Sequence, residues 1–329
     1  MKLHNNTKLF KQAIQATSQH KGLLEIYVEK DYWVTLALHI IFHSDLRDLV
    51  VFKGGTALSK AFKSIERFSE DIDLVLLHNE NETSNQLKRR LKQISNIVSE
   101  QLPEFALEGI TRKMGMNRKT VHSYQHNFKG NFGQVRDCII LETSWLGNYE
   151  PNTKLKLNSF IYDMMIATGQ KKIAEASGLL PFEVLVLESK RTICEKIMSL
   201  TRFSYSEKPI EDLNLKIRHI YDITRLLTDN DILQFVESSE FDKMLLRVAK
   251  DDVHSFRQNK WLEKHPKDAI IFAKSKEIWE ELKLVYHNKF KDLVYGELPS
   301  DDEILLALNK IVNRISTVDW SEIEKEFRD

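Results

Sequence analysis

The spacing of apolar residues along the first part of the chain predicts helices that alternate with short strands. Residues 7–45 carry two apolar stripes at helical spacing, and the second, YWVTLALHIIF, is apolar on nearly every side, as in a buried helix. The segment DLVVF predicts a buried strand that ends at a glycine pair, after which TALSKAFKSI returns to helical spacing. DIDLVLL, at 71–77, starts with alternation and then becomes continuously apolar, which is typical of a strand buried towards its end.

The remaining apolar patterns divide the chain into a sheet-forming part and a helical part. A helix is predicted over 82–100, and from residue 188 onward the spacing is almost entirely helical. Further strands are predicted over 105–112, 119–128, 136–145 and 181–187. These patterns predict an α+β fold, in which a small mixed sheet with flanking helices, residues 1–180, precedes a mainly helical bundle, residues 181–329.

The composition is that of a globular protein without an overall polyanion-binding charge. Lysine and arginine number 48, and aspartate and glutamate also number 48, so the net charge of zero indicates neither a nucleic-acid coat nor membrane-surface binding. Cys138 and Cys194 lack metal-ligand spacing, which predicts two buried thiols in a reducing compartment. The first residues lack an apolar signal core, and no stretch reaches the roughly 18 apolar residues of a membrane span. We therefore expect a cytoplasmic protein without a membrane partner.

Two aspartates separated by one isoleucine start the predicted strand DIDLVLL. A period of two places Asp71 and Asp73 on one face of the strand, where their carboxylates converge. Two carboxylates this close repel each other unless a cation lies between them, and oxygen-only ligands favour Mg²⁺ or Mn²⁺. An isolated Asp-x-Asp is more often a solvated strand start, so the metal interpretation depends on what surrounds the pair.

A glycine pair, Gly54 and Gly55, lies between the preceding strand and a helix for which Thr56 is the predicted N-cap. Glycines let the backbone approach a ligand closely, and the N–H groups at a helix start bind phosphate. A glycine turn alone is more often a plain connection. Together with the aspartates on the following strand, it predicts a site that binds NTP phosphates beside a metal ion, for phosphoryl or nucleotidyl transfer.

Four segments together resemble a known enzyme family: FKGGTALSKAF, RFSEDIDLVL, LESKRTICEKI and RHIYDI. Their order is similar to that of the AbiEii/AbiGii-type nucleotidyltransferase toxins, relatives of the MenT toxins in the polymerase-β-like nucleotidyltransferase superfamily. EKDYWVTLAL and LETSWLGNYEP also look like that family, so the resemblance covers about residues 25–230. It implies a nucleotidyltransferase sheet in which Gly54, Gly55 and Thr56 bind the nucleotide. Asp71 and Asp73 would hold the metal. The helical domain would contribute to the active-site cleft.

The resemblance also implies catalytic residues outside these two motifs. A lysine on a helix after the sheet and an aspartate one helix further on belong to the site in that family, and they match Lys196 and Asp222. From the residues alone, Lys196 is also compatible with a lysine that extends to solvent. Asp222 follows Arg218 by four residues and is also compatible with an ordinary intrahelical ion pair.

Three further side chains are candidates for the predicted site. Glu142 faces the same side of its strand as Ile140, which is unusual in a buried apolar run, and we predict it as a third metal-ligating carboxylate, as many sites of the superfamily have. Ser69, in the loop before the aspartates, is predicted to cap that loop or to bind the nucleotide's phosphate. Arg67 is predicted to clamp phosphate or to pin the loop.

The activity implied by the resemblance is metal-dependent nucleotide transfer from an NTP, by the toxin of a toxin–antitoxin or abortive-infection phage-defence system. The tRNA 3′ end is the acceptor for some members, and a cognate antitoxin is the implied protein partner. Two alternatives stay open: NTP-dependent nucleotidylation or phosphorylation of a protein, and a non-enzymatic nucleotide-binding interaction module. For a tRNA acceptor, the basic residues expected to contact phosphate are Lys53, Lys60, Lys63, Arg67, Arg191, Lys196 and Arg202.

Overall fold

The computed structural model describes residues 1–69, 71–79, 81–130, 135–256 and 260–326. The chain divides into two compact units, the first made of Met1–Lys63 and Arg67–Leu187 and the second of Ser64–Glu66 and Glu188–Asp329. The strand predicted over 181–187, assigned above to the helical domain, pairs within the sheet of the first unit. The contact-based division therefore falls at the end of that strand.

The first unit is built on a mixed sheet, which confirms the predicted α+β class. Its described strands are β1 (Val50–Lys53), β2 (Ile72–Leu76), β3 (Glu104–Phe105), β4 (Asn117–His122), β5 (Ile139–Ser144), β6 (Asn152–Leu157) and β7 (Phe182–Leu187). They lie in the order β3-β4-β5-β2-β1-β7-β6. β1 is antiparallel to β2 and parallel to β7, and β2 is parallel to β5, so the strands that carry the two motifs are central in the sheet.

The edge strand β6 has no counterpart in the sequence prediction. Its sequence, NTKLKL, alternates between exposed and more buried positions, and Lys154 and Lys156 are exposed while Leu157 is buried. Lysines on an edge strand discourage pairing with other chains. Because half of the strand faces solvent, it lacks the continuous apolar run that identifies β1 and β2.

The helices of the first unit surround one buried helix. They are α1 (Thr7–Lys21), α2 (Glu25–Phe42), α3 (Gly54–Ala57), α4 (Ser84–Ser99), α5 (Phe160–Ala167) and α6 (Lys171–Ala176). α2 contacts α1, α4 and α5 as well as β5 and β7. A helix that is apolar on all sides is stable only when it is buried on all sides, and α2 takes that position, as predicted.

The charged run at the start of α2 is buried along with the apolar residues that follow it. Glu29 accepts a hydrogen bond from the backbone N–H of Asn127 at 2.9 Å. Asp31 forms an ion pair with Lys60, and both side chains are 3% exposed. Buried charges are tolerated when they are paired and hydrogen-bonded. The Asp31–Lys60 pair ties α2 to the segment that follows the glycine pair.

The helix after β1 begins at Gly54, with Lys53 as its N-cap residue, so the prediction of Thr56 as N-cap is wrong. Gly54 has φ +79°, a conformation that glycine adopts without strain, and the chain turns there directly from strand to helix. α3 continues into a π-helical turn, Leu58–Phe62, whose C-cap residue Lys63 is left-handed with φ 55°.

The second unit is mainly helical, as the apolar spacing predicted. Its described helices are α7 (Ser189–Ser204), α8 (Pro209–Leu215), α9 (Ile217–Leu226), α10 (Asn230–Glu237), α11 (Ser239–Ser255), α12 (Ile270–Ala273), α13 (Ser275–Val285), α14 (Asp301–Ile315) and α15 (Ser321–Lys325). α7 is central and contacts α8, α9, α11 and α12. α8 and α9 follow each other directly, with Lys216 between them.

Two smaller expectations also bear on the described residues. Cys138 and Cys194 are both buried thiols, as their spacing predicted. No helix in the described ranges is both long enough and apolar enough to span a membrane.

Candidate active site

Four charged residues form a row across four neighbouring strands. Lys53 of β1 pairs in register with Asp73 of β2. Asp73 pairs in register with Glu142 of β5, and Glu142 pairs with Lys119 of β4. Register partners project from the same face of a sheet. The two carboxylates therefore lie side by side with a lysine on each flank.

The glycine pair packs directly against the side chains of the aspartate segment. A methyl group at Gly54 would collide with Asp73 Oδ2, and one at Gly55 would come within 2.5 Å of Arg67 Nη2 and 3.2 Å of Ser69 Oγ. The structure thus brings the two sequence motifs into contact. Any side chain at Gly54 would displace a carboxylate of the candidate site.

The loop before Asp71 is fixed to the glycine helix by Thr56. The Thr56 hydroxyl donates to the carbonyl oxygen of Asp71 at 2.5 Å and lies 2.9 Å from Ser69 Oγ. Arg67 is 2% exposed and donates to the carbonyl oxygen of Phe68 at 3.2 Å, which is the geometry of a residue that pins the loop. Because of these contacts, the position of Asp71 depends on the glycine helix as well as on its own strand.

The surroundings of Asp71 and Asp73 fit a divalent cation. Asp71 Oδ1 is buried and has no hydrogen-bond partner among the described residues, a costly state for a carboxylate oxygen. Mg²⁺ keeps several waters and is commonly bound by one or two carboxylates together with substrate phosphates. Within the described ranges, no three His, Cys, Asp or Glu side chains are grouped to hold an ion. The donor set therefore suits an ion held by this pair, by water and by a substrate.

The environment of Asp73 opposes its ionisation. Burial, followed by the negative charges of Glu142 and Asp71, raises the pKa of Asp73 to about 7. The positive charges of Lys53 and Lys119 act in the opposite direction. For Glu142, burial also disfavours the charged form, but the hydrogen bond and charge of Lys119 outweigh it and lower the pKa of Glu142. Asp73 thus gains more than Glu142 from a bound cation at neutral pH.

The sequence analysis missed two residues of β4 that hold Glu142. Lys119 Nζ donates to Glu142 Oε2 at 2.9 Å, and Asn117 Nδ2 donates to Oε1 at 2.8 Å. The sequence predicts this strand over 119–128, whereas it runs over Asn117–His122, and the shift hides the alternation of polar side chains. Polar residues at alternate positions of a strand were the signal available in the sequence.

In the second unit, Lys196 of α7 and Asp222 of α9 form a buried ion pair. Lys196 Nζ lies 2.6 Å from Asp222 Oδ2, and the two side chains are 7% and 0% exposed. Lys196 therefore does not extend to solvent. The structure brings together the two residues that the resemblance implied, and their part in catalysis stays a prediction.

Several basic residues expected to contact RNA are buried instead. Lys60 is 5% exposed and paired with Asp31, and Arg191 is 1% exposed and lies 2.5 Å from Asp251. Arg67 is 2% exposed. The prediction of RNA contact is wrong for these three residues and for Lys196, which is 6% exposed and paired with Asp222, because a buried side chain held by a protein partner does not reach the backbone of an RNA at the surface.

A cavity in the second unit is lined by aromatic and basic side chains. Its volume is about 850 Å³, within the range of about 300–1,000 Å³ that is usual for ligand pockets. The Arg202 guanidinium carbon lies 4.1 Å from the Phe256 ring centroid, and Lys264 Nζ lies 4.7 Å from that of Tyr205. Trp261 Nε1 and Tyr205 Oη have no hydrogen-bond partner among the described residues. Ring faces combined with cations are typical of surfaces that stack unpaired bases.

Comparison with known proteins gives a family match and several similar solved structures. A family described as nucleotidyl transferase AbiEii toxin, of a type IV toxin–antitoxin system, matches residues 36–320. The chain is similar to MenT4, a nucleotidyltransferase toxin from Mycobacterium tuberculosis H37Rv, at 14% identity with a TM-score of 0.54, over 96% of this chain and 95% of that chain. It is also similar to JHP933 from Helicobacter pylori, at 12% identity with a TM-score of 0.42, over 93% and 97% of the two chains. No curated protein matches by sequence.

Proposed function

Because the chain belongs to the AbiEii family of nucleotidyltransferase toxins, as its motifs predicted, we propose that it transfers a nucleotide from an NTP to an acceptor with a divalent metal ion. Family membership by itself gives the general function, that of a nucleotidyltransferase toxin in a toxin–antitoxin system. The dependence of the reaction on a divalent metal ion is our addition to it. The observation that carries this addition is the buried Asp71 Oδ1, which has no hydrogen-bond partner in the part of the chain that the structure describes and lies beside Asp73, whose carboxylate packs against Gly54.

Asp71 and Asp73 would hold Mg²⁺ or Mn²⁺, which in such sites neutralises phosphate charge and polarises the reacting phosphoryl group. Gly54 and Gly55 let the Asp73 carboxylate and the Arg67 guanidinium lie directly against the backbone, and the phosphates of the NTP are proposed to bind beside these two groups. The chain itself supplies the alignment, since Thr56 fixes the Asp71 backbone and lies beside Ser69. The half-buried Ser69 hydroxyl is the side-chain candidate for a phosphate contact.

The proposed reaction is a displacement at the α-phosphorus of the NTP. The acceptor hydroxyl oxygen forms a bond to that phosphorus, the bond from the phosphorus to the α–β bridging oxygen breaks, and pyrophosphate leaves with that oxygen. The hydroxyl proton passes to solvent. The protein contributes mainly positioning and charge stabilisation, which is what a fixed row of charges on a sheet provides.

Lys196 is proposed to neutralise the triphosphate by exchanging its carboxylate partner, Asp222, for a phosphate when NTP binds. The 2.6 Å ion pair with Asp222 holds the ammonium group in a fixed position until then. Lys196→Met should weaken NTP binding and slow transfer, because a polyanion loses a fixed cation. The double variant Lys196→Met with Asp222→Asn removes both charges of the pair, so it tests the role of Lys196 without leaving an unpaired buried charge that could unfold the protein. Lys289→Met, at an exposed lysine, is the control for the loss of one positive charge at the surface. If the folded double variant keeps the wild-type NTP dissociation constant and turnover, Lys196 has only a structural role.

The reaction class is tested by the position of the label that the acceptor retains. Wild-type protein and Asp71→Asn are incubated with Mg²⁺, total RNA and cell protein, and with each NTP labelled either at the α- or at the γ-phosphorus. Nucleotidyl transfer predicts that α-label is retained and γ-label is not, and that Asp71→Asn and EDTA both abolish transfer. Retention of γ-label would indicate phosphorylation instead. Full activity of Asp71→Asn would refute the site assignment.

The proposed acceptor is RNA with an unpaired end, such as the tRNA 3′ end. The aromatic and basic cavity of the second unit supports this choice, because bases stack on aromatic rings with about 1–3 kcal/mol each and cations bind the phosphates between them. A protein acceptor is the competing proposal.

RNA binding to the cavity is tested with the exposed residue Lys260, which lines it. Lys260→Glu should weaken binding of single-stranded RNA and reduce its salt dependence, because one phosphate contact is lost. Lys276→Glu, at another exposed lysine of the same unit, should leave both unchanged. Label found only in the protein fraction, with no RNA binding at low salt, would favour the protein acceptor.

The biological setting follows from the same family premise. We propose that the chain acts in the cytoplasm, that a cognate antitoxin restrains it and that the pair serves phage defence. Expression of wild type and of Asp71→Asn tests the toxin role, since only the wild type should arrest growth and change the survival of phage-infected cells.

A further inference from the structure

The three carboxylates of the candidate site are not equivalent. Both oxygens of Glu142 have donors, from Lys119 Nζ at 2.9 Å and from Asn117 Nδ2 at 2.8 Å. Asp71 Oδ1 is buried without a partner among the described residues. Only the aspartates therefore offer carboxylate oxygens that the described part of the chain leaves open to a metal ion.

The cation on Glu142 is part of the fold. Lys119 and Glu142 are register partners on β4 and β5, so their side chains start from neighbouring points on the same sheet face. Both side chains are about one-third exposed, at 31% and 33%. Burial opposes the charged form of Lys119, but the hydrogen bond and charge of Glu142, followed by the charges of Asp71 and Asp73, outweigh it and raise the pKa of Lys119.

Two-metal sites place their ions about 3.5–4 Å apart, so that one ion acts at the attacking oxygen and the other at the leaving oxygen. A second ion in this cluster would need Glu142 as a ligand and would then lie beside the Lys119 ammonium group. The like charges repel, and Glu142 would have to give up a charge-assisted hydrogen bond. The arrangement disfavours a second ion while leaving the aspartate pair open to a first.

We propose that Lys119 takes the place of a second divalent ion, so that the site binds one ion through Asp71 and Asp73 while Glu142 holds Lys119. This inference rests on the proposed metal-dependent function and deepens it. It also replaces the sequence-based assignment of Glu142 as a third ligand. The grouping of the described residues supports it, since no three carboxylate, imidazole or thiol groups are placed to share one ion.

The test counts the Mn²⁺ ions bound per chain, from the electron paramagnetic resonance signal of the free ion during a titration. Wild type should bind one ion, and Lys119→Met should bind two, because the third carboxylate loses its resident cation. Lys154→Met is the matched control, since Lys154 makes the same kind of 2.9 Å pair with Glu183 on β6 and β7, away from the carboxylates. It should bind one ion.

A charge-balanced double variant keeps the test valid if Lys119→Met fails to fold. Lys119→Met with Glu142→Gln removes both charges of the pair and leaves no unpaired ion, a change that proteins tolerate well. The inference predicts one bound Mn²⁺ with an affinity within about threefold of wild type, whereas loss of a true ligand should weaken binding by about tenfold or more.

Different outcomes separate this inference from the proposed function. Two ions bound to wild type, one ion bound to folded Lys119→Met, or a tenfold loss in the double variant would each overturn the inference and leave metal-dependent transfer standing. No ion bound to wild type would overturn both. One ion on wild type, two on Lys119→Met and one on the double variant would support it.

Discussion

Replacing Asp73 by asparagine should stabilise the metal-free protein at alkaline pH. Burial and the charges of Glu142 and Asp71 raise the pKa of Asp73 from 3.8 to about 7. Between these values the folded protein holds a proton that the unfolded chain has lost, so this group's contribution to the free energy of unfolding falls as pH rises through that window. Asparagine has the shape of the protonated carboxyl group and removes this penalty.

The size of the effect follows from the shift. About three pH units at about 1.4 kcal/mol each give about 4 kcal/mol as an upper limit, and because Asp73 is partly exposed we halve this to about 2 kcal/mol. For a domain of this size, about 1 kcal/mol moves the midpoint of thermal unfolding by about 2–4 °C. Asp73→Asn should therefore raise the midpoint by about 4–8 °C near pH 8 in EDTA, and by little near pH 4.

The assay is thermal unfolding of EDTA-treated wild type, Asp73→Asn and the surface control Asp48→Asn across this pH range. Asp48 is 74% exposed and its replacement should change little. Added Mg²⁺ should raise the midpoint of the wild type at alkaline pH and leave Asp73→Asn unchanged, because only the wild type keeps both ligands. A lower midpoint for metal-free Asp73→Asn than for wild type near pH 8, or a difference that does not vary with pH, would refute the reasoning.

Two further predictions concern the segments that position the aspartates. Gly54→Ala should weaken Mn²⁺ binding by about tenfold, because the methyl group displaces the Asp73 carboxylate. Gly22→Ala is the control, since Gly22 also has a positive φ but a methyl group there would meet no atom within 4 Å, and it should leave Mn²⁺ binding unchanged. If the two variants weakened Mn²⁺ binding equally, the contact between Gly54 and Asp73 would not be the cause. Lys60→Met should lower the free energy of unfolding in urea by about 3–5 kcal/mol, because Asp31 is left as an unpaired buried charge. Adding Asp31→Asn should recover most of that loss, and a double variant no more stable than Lys60→Met would show that the ion pair is not the cause.

The sequence predicted those parts of the fold whose burial is continuous along the chain. α2 is apolar on nearly all sides, and β1 and β2 are short apolar runs bounded by polar or glycine residues, so each has a strong local pattern. The edge strand β6 faces solvent with every other residue and has no such pattern. Thr56 was predicted to cap a helix that in fact starts at Gly54, because the left-handed conformation of Gly54 is not visible in residue spacing.

Partners distant in the sequence explain why the rest of the site was only partly predictable. The Asp-x-Asp spacing identifies two carboxylates on one strand, and the glycine pair identifies the turn that approaches them. Lys60 pairs with a residue 29 positions earlier, and Lys196 with one 26 positions later. No local pattern in the sequence marks either lysine as buried. Lys60 was therefore predicted to contact RNA, and Lys196 was also compatible with a side chain that extends to solvent.

Mn²⁺ anomalous diffraction from a soaked crystal would show whether Asp71 and Asp73 together hold the catalytic metal ion. We expect one anomalous peak per chain, within coordination distance of Asp71 Oδ1 and a carboxylate oxygen of Asp73, with Lys119 still bonded to Glu142. A peak that contacts Glu142 but neither aspartate, or no peak at this face of the sheet at saturating Mn²⁺, would contradict it.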